Sequence, residues 1–175
     1  SSFISIALNI RGKLRSIAVD ALRVISEDTS SCRQTRLQLC EYGAARALGV
    51  TLKDIATQLG GVLRSEMDTV TPDEQDLLRR LHETLCALGN ILDPVKEGYV
   101  PAPDRTVSSS SFQDPQRLLI KGCIETTTSG GLESLLAIAS IPIVSGSKGI
   151  RLLEEACRSL AFMAPLLLSS KLAAS

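Results

Sequence analysis

An all-α fold built from stacked helical units is predicted by three observations. Aromatic residues make up only 3% of the chain and tryptophan is absent, a poor supply for a sheet that packs through aromatic and β-branched side chains. Apolar residues recur every three to four positions in segment after segment, the period of an amphipathic helix. The same order of short, medium and long helix occurs twice, after one leading helix.

The composition narrows the classes further. With 175 residues the chain is one domain or a piece of a larger one, and it is long enough to bury a sizeable core. Lys plus Arg and Asp plus Glu both total 19, so no global field draws in nucleic acid or an anionic membrane. The five cysteines, Cys32, Cys40, Cys86, Cys123 and Cys157, are odd in number and form no C-x-x-C pair. They read as reduced thiols acting as small hydrophobes, which points to the cytosol or nucleus. Phe3–Ile10 is apolar but short, with no basic region before it, so no signal peptide is evident. The longest apolar run, Leu160–Leu168, is interrupted by Pro165 and is about half of the roughly 20 residues that a membrane span requires. The missing initiator Met and the Ala/Leu-rich end read as a single repeat segment, 1–175, cut from a longer array.

The elements follow in order. Residues 13–27 place Leu14, Ala18, Ala21, Leu22 and Ile25 on one helical face and stop at Asp28-Thr29-Ser30-Ser31. A short helix over about 32–42 ends at Gly43, and a medium one over 44–59 carries Leu48, Leu52, Ile55, Ala56 and Leu59 to a stop at Gly60-Gly61. Residues 62–71 are a polar connection.

The long helix Pro72–Asp93 has the strongest local signals. Thr71 suits the N-cap, Pro72 the first helical position, and Glu74 completes a capping box. Its buried face is Leu77, Leu78, Leu81, Leu85, Leu88 and Leu92, and Asp93-Pro94 ends it because the residue before proline is pushed out of the α region. Residues 94–113, with three prolines and four consecutive serines, read as a long flexible inserted loop.

Asp114-Pro115 opens a helix that is expected to end near Glu125, broken by Thr126-Thr127-Thr128-Ser129-Gly130. Gly131–Ser140 forms the next helix, and 141–149 is a second insertion. The last helix, Ile150–Leu168, is expected to bury Leu152, Leu153, Ala156, Leu160, Ala164 and Leu167.

Superimposing the long helices brings Ala21-Leu22, Ala87-Leu88 and Ser159-Leu160 into register. Once the connections are subtracted, the units approach the roughly 40–47 residues of armadillo or HEAT repeats. Leu39-Cys40-Glu41-Tyr42-Gly43-Ala44-Ala45-Arg46-Ala47-Leu48 resembles the first-helix end, glycine turn and second-helix start of the armadillo repeat family, and Gly130-Gly131-Leu132-Glu133-Ser134-Leu135-Leu136 resembles the same element. The family's third-helix pattern is matched by Leu85-Cys86-Ala87-Leu88-Gly89-Asn90-Ile91 and by Ala156-Cys157-Arg158-Ser159-Leu160-Ala161. The resemblance covers the helices and none of the loops. It implies a right-handed α-solenoid of about two repeats plus a leading helix, with third helices lining a groove for extended peptides or partner proteins. In importin-alpha-like members an asparagine on that helix holds the partner's backbone, one turn after a tryptophan. Asn90 matches the first position, Cys86 stands at the second, and Arg158 and Phe162 occupy the pair in the last repeat.

The candidate groove therefore comprises Arg79, Glu83, Cys86 and Asn90 on one long helix and Arg151, Glu155, Arg158 and Phe162 on the other. Arg79, Asn90, Arg151 and Phe162 are the expected partner contacts. The competing account is a solvated face whose i,i+4 ion pairs contribute only about tenths of a kcal/mol. His82, the one histidine, lies beside Glu83 with no nucleophile or carboxylate placed to use it, and reads as a structural or surface residue.

Gly60-Gly61 and Gly130-Gly131 lack the spacing of a phosphate loop and read as helix punctuation. One His and scattered Cys make a four-ligand zinc site unexpected, and no cofactor is called for. Ser108–Ser111 with Arg105 suits either a phosphorylation segment or a linker. The expected function is a non-enzymatic scaffold that binds a protein or extended peptide. A co-chaperone or myosin-assembly type of armadillo protein, which lacks a Trp/Asn ladder, and a helical-bundle enzyme are the alternatives. A pocket of converging titratable groups would favour the enzyme and an elongated groove the scaffold.

Overall fold

The computed structural model describes residues 13–27, 33–59, 71–94, 115–140 and 147–172. Every element among them is a helix: α1 (Lys13–Glu27), α2 (Arg33–Glu41), α3 (Ala44–Leu59), α4 (Pro72–Leu92), α5 (Pro115–Thr128), α6 (Gly131–Ala139) and α7 (Ser147–Leu172). Phe3–Ile10, Cys32, Gly60-Gly61, the Ser108–Ser111 run with Arg105, and most of each expected loop lie outside the described residues.

Local chemistry sets the best-defined boundaries. The backbone N–H of Thr71 donates to Glu74 Oε2 at 2.7 Å, and the Glu74 N–H donates to Thr71 Oγ1 at 3.4 Å, so the capping box forms with Pro72 in the first turn. These bonds to the charged form, from the Thr71 backbone and then its hydroxyl, hold the Glu74 carboxyl below its ordinary range.

The two glycine turns share one hydrogen-bond pattern. Gly43 (φ 79°) and Gly130 (φ 84°) both adopt the left-handed conformation that a side chain disfavours. The N–H of Gly43 donates to Cys40 O at 3.2 Å and that of Gly130 to Thr127 O at 3.1 Å. On the far side, Ala47 N–H donates to Gly43 O and Ser134 N–H to Gly130 O, at 3.1 and 3.3 Å. The chain thus turns from α2 into α3 as it turns from α5 into α6.

Corresponding helices pack on one another. The central helix α4 lies against both α1 and α7, α2 lies against α5, and α3 lies against α6. Within the units, α3 packs on α4 and α6 on α7. The core follows from this order: Leu48, Leu52 and Leu59 of α3, Leu81, Leu85, Leu88 and Leu92 of α4, Leu119 of α5 and Leu135 of α6 are all fully buried. Together they form one apolar cluster that also takes in Leu22 of α1 and Met163 and Leu166 of α7.

Small residues permit close approach between units. A Cβ at Gly122 would lie 3.0 Å from Leu92 Cδ2, and one at Gly49 would run into the Ser129 hydroxyl. A Cβ at Gly131 would come within 2.9 Å of Thr126 O and 3.0 Å of Gly49 Cα.

Polar groups of α5 also serve the first turn. Lys121 Nζ donates to the Glu41 carbonyl at the end of α2, at 2.6 Å. The Glu125 carboxylate accepts from the backbone N–H of Arg46 in the first turn of α3, where unpaired N–H groups and the helix dipole favour an anion. Burial nevertheless raises the Glu125 pKa above its ordinary value, against the opposing pull of Lys121 and Arg46, and Oε2 is buried with no hydrogen-bond partner among the described residues. A raised folded pKa means that the native state holds more protons than the unfolded chain just above pH 4.5, so this group's contribution falls as pH rises through that window. Glu125→Gln is expected to remove the slope, the variant gaining on the parent as pH rises above 4.5 in urea denaturation. Parallel stability profiles for the two proteins would rule this out.

The structure corrects several sequence expectations. Helix α5 does not break at Thr126 but runs to Thr128. The three threonine hydroxyls donate to the carbonyls of Gly122, Cys123 and Ile124, each at 2.9 Å, so they are satisfied inside the helix and do not compete for its backbone N–H groups. Helix α7 starts at Ser147 and passes through Pro165 to Leu172, longer at both ends than Ile150–Leu168. Its buried stripe is Leu152, Ala156, Ser159, Met163 and Leu166, whereas Leu153, Leu160 and Leu167 are half-buried and Ala164 is exposed. Two leucine stripes run side by side on this helix, and a serine in the buried one disguised it. On α4, Leu77 is half-buried and the other five expected leucines are buried.

Candidate partner-binding face

The eight candidate residues lie on neighbouring helices, because α4 and α7 pack together. The structure divides them into a closed half and an open half.

The closed half is organised by Arg158. Its Nη2 donates to Asn90 Oδ1 at 3.2 Å and to Asp93 Oδ2 at 3.3 Å, and its Nη1 donates to Glu155 Oε2 at 3.2 Å. The guanidinium also lies 5.4 Å from the centre of the Phe162 ring, within reach of a cation–π contact. Four groups therefore hold one arginine across the helix pair. Asn90, expected to face the groove, is instead only 4% exposed. The physical reason is the approach of α7: a Cβ at Gly89 would lie 3.4 Å from Ser159 Oγ, so Arg158 reaches across to the asparagine.

Cys86 lies half-buried in this polar seam, with Glu27 and Arg23 of α1 and Glu155 and Arg158 of α7 acting on it. Burial first, then the two glutamates, push its thiol up to about 11, against the weaker pull of the arginines. Its Sγ lies 3.7 Å from His82 Nε2, but the thiol stays protonated at neutral pH and is no ready nucleophile. The cysteines among the described residues are all free thiols, and burial pushes Cys123 up to about 12.

The open half lies toward the start of the two helices. A cleft of about 520 Å³ is lined there by Gln75, Asp76, Leu78, Arg79 and His82 of α4 with Arg151 and Leu152 of α7. Arg79 and Arg151, two of the expected partner contacts, thus share one cleft. Arg79 is engaged at its mouth: Nη2 bonds Asp76 and Nη1 bonds Glu83, both at 2.7 Å. Asp76 also pairs with Arg80 Nε at 3.0 Å, and its carboxyl is held below the ordinary range chiefly by the Arg79 hydrogen bond. Glu83 is largely buried beneath Arg79, its side chain 14% exposed. Phe162 and Glu155 belong to the Arg158 network, away from this cleft.

Comparison with family models, curated proteins and solved structures finds no match. Among the described residues no group of three His, Cys, Asp or Glu side chains is placed to hold a metal ion, and no helix is long and apolar enough to cross a membrane.

Sequence reasoning missed four participants. Leu78 and Leu152 counted as core, and only their position at the seam between helices makes them the floor of the cleft. His82 read as a flank residue, which it is, but the flank faces the cleft. Asp93 read only as a helix stop before Pro94, and its role toward Arg158 depends on a partner 65 positions away.

Proposed function

We propose that the chain is an armadillo-like α-solenoid segment and a non-enzymatic scaffold that receives a partner polypeptide along the face of α1, α4 and α7. One observation carries the reading: corresponding helices stack unit on unit, and the long-helix pair α4 and α7 leaves a cleft between them. Stacking of this kind supports a solenoid because each unit lacks the surface to bury its own apolar face and borrows it from a neighbour. A groove between parallel elements presents an extended surface, the form that polypeptide recognition uses.

The importin mode is not part of the proposal. It needs an asparagine amide offered to the partner's backbone, and Asn90 is buried and bonded to Arg158. This favours the ladder-free kind of armadillo scaffold. Free thiols at Cys40, Cys86, Cys123 and Cys157 fit a reducing compartment, the cytosol or nucleus.

The test is photo-crosslinking in cell extract with a reactive side chain at position 79 or 151, and at Gln58 on the exposed side of α3 as control. The expected outcome is a defined polypeptide adduct from positions 79 and 151 only, competed away by untagged parent chain and at least about tenfold less effectively by an untagged chain in which Arg79 and Arg151 are both alanine. Equal labelling from position 58, or undiminished competition by a folded double-alanine chain, would overturn the proposal.

A further inference from the structure

We propose that the cleft between α4 and α7 accepts a short extended segment in which a large aliphatic residue is followed by a carboxylate, the aliphatic group entering between Leu78 and Leu152 and the carboxylate pairing with Arg151. This inference rests on the scaffold reading above and names the chemistry of the bound segment.

Charge complementarity selects the acidic group. The charges around the cleft on α4 balance among themselves, since Asp76 and Glu83 are taken up by Arg79 and Arg80. On α7, Glu155 is taken up by Arg158, and Glu154, exposed one turn beyond Arg151, does not line the cleft. Arg151, an exposed lining residue, makes no ion pair or hydrogen bond with another described residue. It lies one turn into α7, a helix of 26 residues with no acidic side chain in its first turn. A ligand carboxylate is the group that this end of the cleft lacks, and a guanidinium can hold it by two parallel hydrogen bonds.

The dimensions select an extended chain. Along α4 the lining runs from Gln75 to His82, about 10 Å at the helical rise, which matches about three residues of extended chain. Leu78 and Leu152 are 7% and 5% exposed, so they form the floor and Arg151 the rim. An apolar side chain displaces water from that floor, while the adjacent carboxylate stays at the solvent edge.

The test uses glycine-serine octapeptides that carry leucine then glutamate, leucine then lysine, or serine then glutamate, added to chain labelled at its leucine methyl groups for NMR. The first peptide is expected to shift the Leu78 and Leu152 methyl resonances with a Kd of about 1 mM or tighter, and the other two to bind at least about tenfold more weakly. Arg151→Glu should lose the first peptide by at least about tenfold and gain the lysine peptide, and Arg151→Gln should lose the first without gaining the second. Unchanged core methyl resonances establish that each variant is folded. The proposal falls if about 5 mM of the first peptide leaves both methyl groups unmoved. It also falls if the lysine peptide binds the parent equally, or if octanoate binds tighter than the peptide and so marks a site for free amphiphiles. Shifts that grow with chain concentration in the absence of peptide would assign the cleft to a second copy and overturn it too. If the peptide fails while crosslinking from positions 79 and 151 still captures a polypeptide, this inference is lost and the scaffold reading stands.

Discussion

Truncation of Leu88 to alanine is expected to destabilise the chain by about 2–5 kcal/mol, a large part of the roughly 5–15 kcal/mol that holds a typical domain folded. Leu88 is fully buried on α4, the helix that lies against α1, α3 and α7 together, so the cavity left behind opens at the junction of several elements. Relaxation around such a site is restricted because movement toward one neighbour is movement away from another. Leu168→Ala is the control, since that side chain is 63% exposed and its loss should change stability by no more than about 0.5 kcal/mol. Urea denaturation followed by far-UV circular dichroism measures both. Equal midpoints for the two variants would remove α4 from the centre of the fold.

Gly131→Ala is expected to cost about 1–3 kcal/mol, although alanine usually strengthens a helix. The added carbon would lie 2.8 Å from Thr126 Cγ2, 2.9 Å from Thr126 O and 3.0 Å from Gly49 Cα. Two of those three are backbone atoms, so no side-chain rotation relieves the clash, and α6 must move away from α3 and the end of α5. Gly89→Ala is the contrasting case. Its nearest atoms, Ser159 Oγ at 3.4 Å, Glu155 Oε2 at 3.6 Å and Arg158 Nη1 at 3.7 Å, are all side-chain atoms that can adjust. That variant should stay within about 1 kcal/mol of the parent. Thermal or urea midpoints decide between the two, and a Gly131→Ala chain as stable as the parent would show that the close contact does not constrain the fold.

The capping box at Thr71 and Glu74 and the turns at Gly43 and Gly130 are local devices, written in residues three or four positions apart, and both were readable. The threonines after Glu125 depart from their local tendency because Thr126 is buried against Gly131, a packing contact that spacing along the chain does not reveal. The start of α7 at Ser147 was missed because Ser147-Lys148-Gly149 carries no helix-favouring pattern of its own.

For the candidate site the division is the same. Helical spacing put Arg79 and Glu83 on one face and Arg151, Glu155 and Arg158 on another. It had no means of showing that Arg158 closes over Asn90 while Arg151 is left at an open cleft. That distinction depends on the approach of α7 to α4 at Gly89, a contact between residues about seventy positions apart.

The reach of Lys121 and Glu125 from α5 to the first turn has a consequence for how the chain unfolds. The carbonyl at the end of α2 and the N–H at the start of α3 are completed by the second unit and not by the first. Detaching the second unit would strip those polar groups of their partners as well as uncovering the apolar surface of α3. A half-folded state is thereby penalised twice, once in exposed surface and once in broken hydrogen bonds. The junction of α2 and α3 with α5 is therefore expected to open only together with the rest of the chain, an outcome that amide hydrogen exchange checks.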